Sequence, residues 1–158
     1  VLESFVKLHE TGSLEILAET YYHSLGFHRS KQEFKEQVEL QMAKVKEVFG
    51  VEPTIFRHTE CVYFNELAAF VEEMGFKGML AEAVGHVLGG RPANQLYRSP
   101  NVKEMKTLLR NGGLSDDLAF RFGNSSWDQY PLTPEKFAGW CAKSECNAAG
   151  GSAQDSRH

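Results

Sequence analysis

The sequence predicts an α/β fold with parallel strands. Short apolar runs alternate with longer stretches of helical periodicity along the 158 residues. The longest of those stretches carries start and stop residues at both ends. Polar residues stand where the short runs finish, at His23, Glu60, Glu82 and Arg110. In parallel α/β folds side chains from several strands converge at the C-terminal strand ends, and ligand sites form there.

Leu2, Phe5 and Val6 share one helical face, and Gly12 ends that segment. Leu14, Ile16 and Ala18 alternate with their neighbours and read as a rough strand running into Glu19-Thr20-Tyr21-Tyr22-His23. Ser30 opens the clearest helix. With Glu33 it forms a capping-box pattern, in which each side chain satisfies the other residue's backbone N–H. Phe34, Val38, Met42, Val45, Val48 and Phe49 build its apolar stripe. Gly50 supplies a left-handed cap, and Pro53 prevents continuation.

Thr54-Ile55-Phe56 reads as a short strand ending in Arg57-His58-Thr59-Glu60, followed by a helix over about Asn65 to Met74, closed by Gly75. Gly78 to Ala81 and Lys106 to Leu109 read as two further strands. Thr133 and Pro134 are cap and first-turn residues for a last helix carrying Phe137, Ala138 and Trp140. From Ser144 to His158 no large apolar residue occurs, so residues 144–158 are expected to form a disordered polar tail behind a domain spanning 1–143. No fixed-period repeat is visible.

Composition narrows the function classes. Apolar residues make up 42% and charged residues 24%, which suits a chain that buries a core. With 17 basic and 21 acidic residues the net charge is −4, which argues against a bulk electrostatic grip on nucleic acid. No apolar run approaches the ~18 residues of a membrane span. The three cysteines, Cys61, Cys141 and Cys146, show no C-x-x-C spacing and fit reduced thiols in a cytoplasmic setting.

Glu60 is the sharpest chemical candidate. A carboxylate directly after a short apolar strand, flanked by Arg57 and His58, is placed to act as nucleophile or acid/base. A neighbouring guanidinium would hold it ionised, and an ionised carboxylate can attack an anomeric carbon. It could equally cap the next helix or pair with Arg57. Asp116 and Asp117 form a second acidic spot, where Ser115 or Asp116 also suits a helix N-cap. His23, His28, His58 and His86 lack the H-E-x-x-H spacing of a metal centre, so structural or substrate-contact roles are expected and no metal. Cys61 fits a small buried thiol better than a catalytic one. Tyr21, Tyr22, Tyr63, Tyr97, Trp127 and Tyr130 fall near loops, where such rings either fill the core or stack on sugars. Gly89-Gly90 and Gly112-Gly113 lack the strand–G-x-G-x-x-G–helix context and read as turns.

Thr54-Ile55-Phe56-Arg57-His58-Thr59-Glu60-Cys61-Val62-Tyr63-Phe64-Asn65 resembles the third conserved region of glycoside hydrolase family 57 in its α-amylase-type branch, close to F-R-N-T-E-L-I-Y-N-N. Leu17 to Leu25, Gly75 to Leu80, Leu108 to Asn111, Leu114 to Phe122 and Pro131 to Trp140 resemble further segments in collinear order, covering about residues 1 to 141. The resemblance implies part of an incomplete (β/α)7 barrel, retaining cleavage of α-glucans, and no metal or organic cofactor. It implies Glu60 as nucleophile. His23, Arg57, His58, Glu82, Asp117 and Arg121 are the expected substrate contacts.

Some positions depart from the family pattern. A His-Gln-Pro strand would lie before Val1, and an acid/base Asp would follow the Trp140 helix; neither motif occurs in these residues. Asp116 and Asp117 match the Leu-Ser-Asp-Asp segment and not the acid/base motif. His58 replaces the usual Asn beside the nucleophile, Gly85 stands for Asp, and Gly90 for Trp. The expectation is a central fragment of an α-glucan-active enzyme, inactive by itself. A degenerate carbohydrate-binding domain is the alternative, and a histidine-based metal hydrolase a third class.

Overall fold

Phe56 is the middle residue of a three-residue strand and is 0% exposed, and the elements around it follow the alternation of the sequence. The computed structural model describes residues 1–150, with side chains as far as residue 144. In order come α1 (Leu2–Glu10), α2 (Lys31–Phe49), β1 (Ile55–Arg57), α3 (Asn65–Glu73), β2 (Gly78–Glu82), α4 (Gly85–Leu88), β3 (Lys106–Arg110), α5 (Gly112–Asp116) and α6 (Pro134–Gly150). Single tight turns cover Gly26–His28 and Thr59–Cys61, and a wider turn covers Asp117–Arg121. The sheet order is β1-β2-β3. β1 and β2 are parallel, with Ile55 opposite Gly78, Phe56 opposite Met79 and Arg57 opposite Leu80. The α/β class with parallel strands is therefore as expected. No described helix is long and apolar enough to cross a membrane.

The chain divides into two compact units, one of Val1–Ala81 with Tyr97–Thr107, the other of Glu82–Leu96 with the residues from Leu108 onward. The first unit is built around aromatic rings. Phe27 meets Phe34, Phe64 and Phe70 at centroid distances of 5.2, 5.2 and 5.4 Å, and Phe34 meets Phe56 at 5.8 Å. Such edge-on pairs add about 0.5–1.5 kcal/mol each beyond the burial of their area. Phe34, Val38 and Val45 of α2, Leu67, Ala68 and Val71 of α3, and Met79 of β2 complete this core.

Three sequence expectations are corrected here. The run Leu14–Ala18 is not a strand: only Ala18 pairs, in a one-residue parallel bridge to Phe56. Ala18 N–H donates to the Ile55 carbonyl and Arg57 N–H to the Ala18 carbonyl, both at 2.9 Å. The alternation of apolar residues upstream of Ala18 reflects partial burial, not a ladder. The capping box at α2 is only half made. Ser30 Oγ accepts from Glu33 N–H at 3.1 Å, but the Glu33 carboxylate accepts from Gln37 Nε2 at 2.7 Å, one turn onward. Ser30 N–H already donates to the Gly26 carbonyl at 2.9 Å, so nothing is left for Glu33 to satisfy. Gly50 is left-handed at φ 72° and ends the helix as expected.

In the second unit Trp127 and Trp140 meet edge to face at 5.9 Å, and Thr133 Oγ1 caps α6 by accepting from Lys136 N–H at 3.3 Å. The third correction lies in α6, which continues to Gly150 and so takes in the start of the stretch expected as a tail from Ser144. Residues 144–149 contain no proline or glycine, and Ala148-Ala149 favour helix, so the sequence lets the helix continue. The remainder of that tail, 151–158, lies outside the described residues.

Candidate functional site

β1 delivers the candidate nucleophile. Its last residue is Arg57, and the chain then turns tightly through Thr59–Cys61, with Cys61 N–H donating to the His58 carbonyl at 2.9 Å. Glu60 sits in the left-handed region at φ 55° and ψ 20°, and Cys61 follows at φ 54°. His23 is left-handed as well, at φ 53°. A side chain in this region costs about 1–2 kcal/mol per residue, so the surrounding contacts hold three strained residues in one place. Thr59 anchors the turn from below: it is buried, and its hydroxyl lies 3.1 Å from that of Thr20.

The Glu60 side chain is 72% exposed, and its Oε1 lies 3.1 Å from His23 Nε2. Oε2 has no hydrogen-bond partner among the described residues. The other ring nitrogen, His23 Nδ1, is bonded to Glu19 Oε1. Glu19 also accepts from Arg57 Nη1 at 3.3 Å and from the Thr59 hydroxyl at 3.5 Å. Hydrogen bonds to Glu60 and then to Glu19 raise the pKa of His23 above its ordinary value.

Two expectations change in this cluster. Arg57 does not hold Glu60; its guanidinium pairs with Glu19, and the partner of Glu60 is His23. The left-handed turn carries Glu60 away from the line of β1, so proximity in sequence did not become contact. His58 is not placed to touch a substrate: it is 0% exposed, stacked on Phe34 at 5.7 Å and 13°, with Nδ1 bonded to the Thr59 carbonyl at 2.9 Å. Burial lowers its pKa, and Nε2 is buried without a partner. Glu19 was not among the expected contacts. Its signals in the sequence were the i, i+4 spacing to His23 and its place after Ala18.

The second unit carries its own polar cluster. Arg110, at the end of β3, donates to Glu82 Oε2 at 3.0 Å and to Asp116 Oδ1 at 2.7 Å. Both carboxylates raise the Arg110 pKa, Glu82 the more strongly. Asp116 is therefore an ion-pair partner and not a helix cap; the cap of α5 is Asn111, whose Oδ1 accepts from Leu114 N–H at 3.1 Å. Asp117 pairs with Arg121 one turn later at 2.5 Å. Among the described residues no three of His, Cys, Asp and Glu are gathered as a metal site requires.

The family model described as glycosyl hydrolase family 57 matches residues 1–152. A curated relative from Methanocaldococcus jannaschii, named "Putative alpha-amylase", is 46% identical over 143 residues. That match covers 90% of this chain and 30% of the relative, so the chain spans less than a third of that protein's length. The 4-alpha-glucanotransferase of Thermococcus litoralis superposes with a TM-score of 0.65 at 18% identity, over 76% of this chain and 19% of that one. The GH57-type branching enzyme of Pyrococcus horikoshii superposes with a TM-score of 0.60 at 17% identity, over 72% and 24%. At these identities the two structures speak for the fold, that of an incomplete (β/α)7 barrel, and the family match carries the assignment. The chain belongs to glycoside hydrolase family 57.

Proposed function

We propose that Glu60 is the nucleophile of a retaining enzyme acting on α-glucans, a hydrolase or glucanotransferase. The observation that supports this most directly is the placement of its carboxylate. It stands at the C-terminal end of β1, 72% exposed, with one oxygen bonded to His23 and the other open. The relatives bear the names of an alpha-amylase, a 4-alpha-glucanotransferase and a branching enzyme, all consistent with an α-glucan substrate.

In this reading Oε2 of Glu60 attacks the anomeric carbon. The glycosidic C–O bond breaks, and the leaving oxygen takes a proton from a second carboxylic acid, about 5–5.5 Å from the first in a retaining pair. Water, or a sugar hydroxyl in transfer, then attacks the glycosyl ester, gives its proton to that second carboxylate and releases Glu60. None of these 158 residues matches the motif expected to carry that second carboxylate. His23, Arg57, Glu82, Asp117 and Arg121 offer hydrogen bonds to sugar hydroxyls. Without the acid/base group the chain alone loses at least the ~10²–10⁴-fold of positioned proton transfer and does not turn over starch. No organic cofactor or metal enters these steps, and a cytoplasmic setting goes with the free thiols of Cys61 and Cys141.

A donor that needs no acid tests the nucleophile in the chain as it stands. Fluoride leaves unprotonated, so 5-fluoro-α-D-glucosyl fluoride should esterify Glu60, detected as a mass increase on the peptide containing it. Glu60→Gln should abolish the adduct. A wild-type chain that stays unlabelled, or label retained in Glu60→Gln, overturns the assignment.

A further inference from the structure

We infer that Glu19 is a positioning residue for the nucleophile: it anchors the His23 ring so that Nε2–H is aimed at the Glu60 carboxylate. This rests on the reading of Glu60 as nucleophile. The argument begins with donors. A carboxylate only accepts, so an imidazole bonded to carboxylates through both nitrogens carries a proton on each. His23 is bonded in this way to Glu19 and Glu60. A neutral ring has one N–H for two acceptors and must leave one of them facing a lone pair.

The two carboxylates are not equivalent. Glu19 is 26% exposed and tied to the sheet edge by the Ala18 bridge, with Arg57 and Thr59 donating to it and its own N–H donating to Gln41 Oε1 at 3.4 Å. Glu60 is 72% exposed and has His23 as its partner among the described residues. When His23 loses a proton, the remaining one stays with the better-anchored acceptor, and Glu60 loses its guide. The charged groups facing His23 are Glu19 and Glu60, and the one facing Glu19 from β1 is Arg57. Both carboxylates favour the protonated ring and raise the His23 pKa above its ordinary value. A charged His23 also draws electron density from the Glu60 carboxylate, which favours its departure in the second step.

The test joins a ¹⁵N-histidine NMR titration to labelling by 5-fluoro-α-D-glucosyl fluoride, on the full chain. In the wild type both ring nitrogens of His23 should carry protons at neutral pH. In Glu19→Gln the His23 midpoint should fall, the labelling rate should drop on the order of tenfold, and its alkaline limb should move to lower pH with the midpoint. A neutral His23 in the wild type at neutral pH overturns the inference with no variant needed. So does a Glu19→Gln chain whose midpoint and labelling profile match the wild type. A wild-type chain that is never labelled instead refutes the nucleophile reading, while the titration still decides whether Glu19 orders His23.

Discussion

The ring of His58 lies 13° from parallel to the ring of Phe34, at a centroid distance of 5.7 Å. Burial disfavours the charged form of His58, so its pKa in the folded chain lies below the value it has when unfolded. The unfolded chain then binds more protons across that interval, and stability rises with pH there. The contribution is complete above about pH 6.5 and is lost as pH falls through the lowered folded value. The melting temperature should therefore fall between about pH 7 and about pH 5, and His58→Phe should flatten that slope while keeping the stack. Parallel slopes for the two proteins would contradict this account. The raised pKa of His23 acts in the opposite sense, above about pH 6.5, and so does not confuse the test.

The half-made capping box separates two neighbours on α2. Ser30→Ala removes a cap hydrogen bond and should cost about 1 kcal/mol. Glu33→Ala removes only an i, i+4 contact with Gln37 and should cost about 0.2–0.5 kcal/mol. Denaturant midpoints of the two variants decide between this and a reciprocal box, which would make the losses similar.

Gly78 faces Ile55 across the β1–β2 pair, and a Cβ built there would lie 2.7 Å from Ile55 Cδ1. Gly78→Ala should destabilise the chain by about 1–3 kcal/mol. Ile55→Val alone should cost about 0.5–1.5 kcal/mol, yet it removes the clashing methyl. The double variant should consequently be more stable than the sum of the two losses by at least about 0.5 kcal/mol. Strict additivity in urea unfolding would show that Ile55 simply turns aside.

Glu72 gathers the backbone N–H groups of Lys103, Glu104 and Met105, the shortest at 2.7 Å. These bonds favour the ionised carboxylate and hold its pKa below the usual 4.5. As for any group with a lowered folded pKa, the stabilisation is complete above the unfolded pKa and is lost as pH falls through the folded one. Amide hydrogen exchange at residues 103–105 should accelerate in Glu72→Gln at neutral pH, since a neutral amide accepts more weakly than a carboxylate. Unchanged exchange at those three amides would remove Glu72 as their anchor.

Elements stabilised by local rules were legible in the residues: the stripe and Gly50 cap of α2, the three short strands, and the Thr133 cap of α6. The short helices α4 and α5 were not, because Gly89-Gly90 and Gly112-Gly113 carry the composition of turns. Glu60 was legible by motif and strand end. Its partner was not, since His23 meets Glu60 across 37 residues and a left-handed turn redirects the carboxylate. The burial of His58 was legible in the residues: it stands two positions after Phe56, and side chains two apart in extended backbone share a face.

The Ala18 bridge is one residue wide, with one hydrogen bond on each side of Phe56. Side chains in extended backbone alternate faces, so lengthening or shortening the chain by one residue between Ala18 and Glu19 would send that carboxylate to the opposite side. Substitutions at neighbouring positions leave its direction intact. Across related genes this junction should therefore admit changes of residue but resist insertions and deletions.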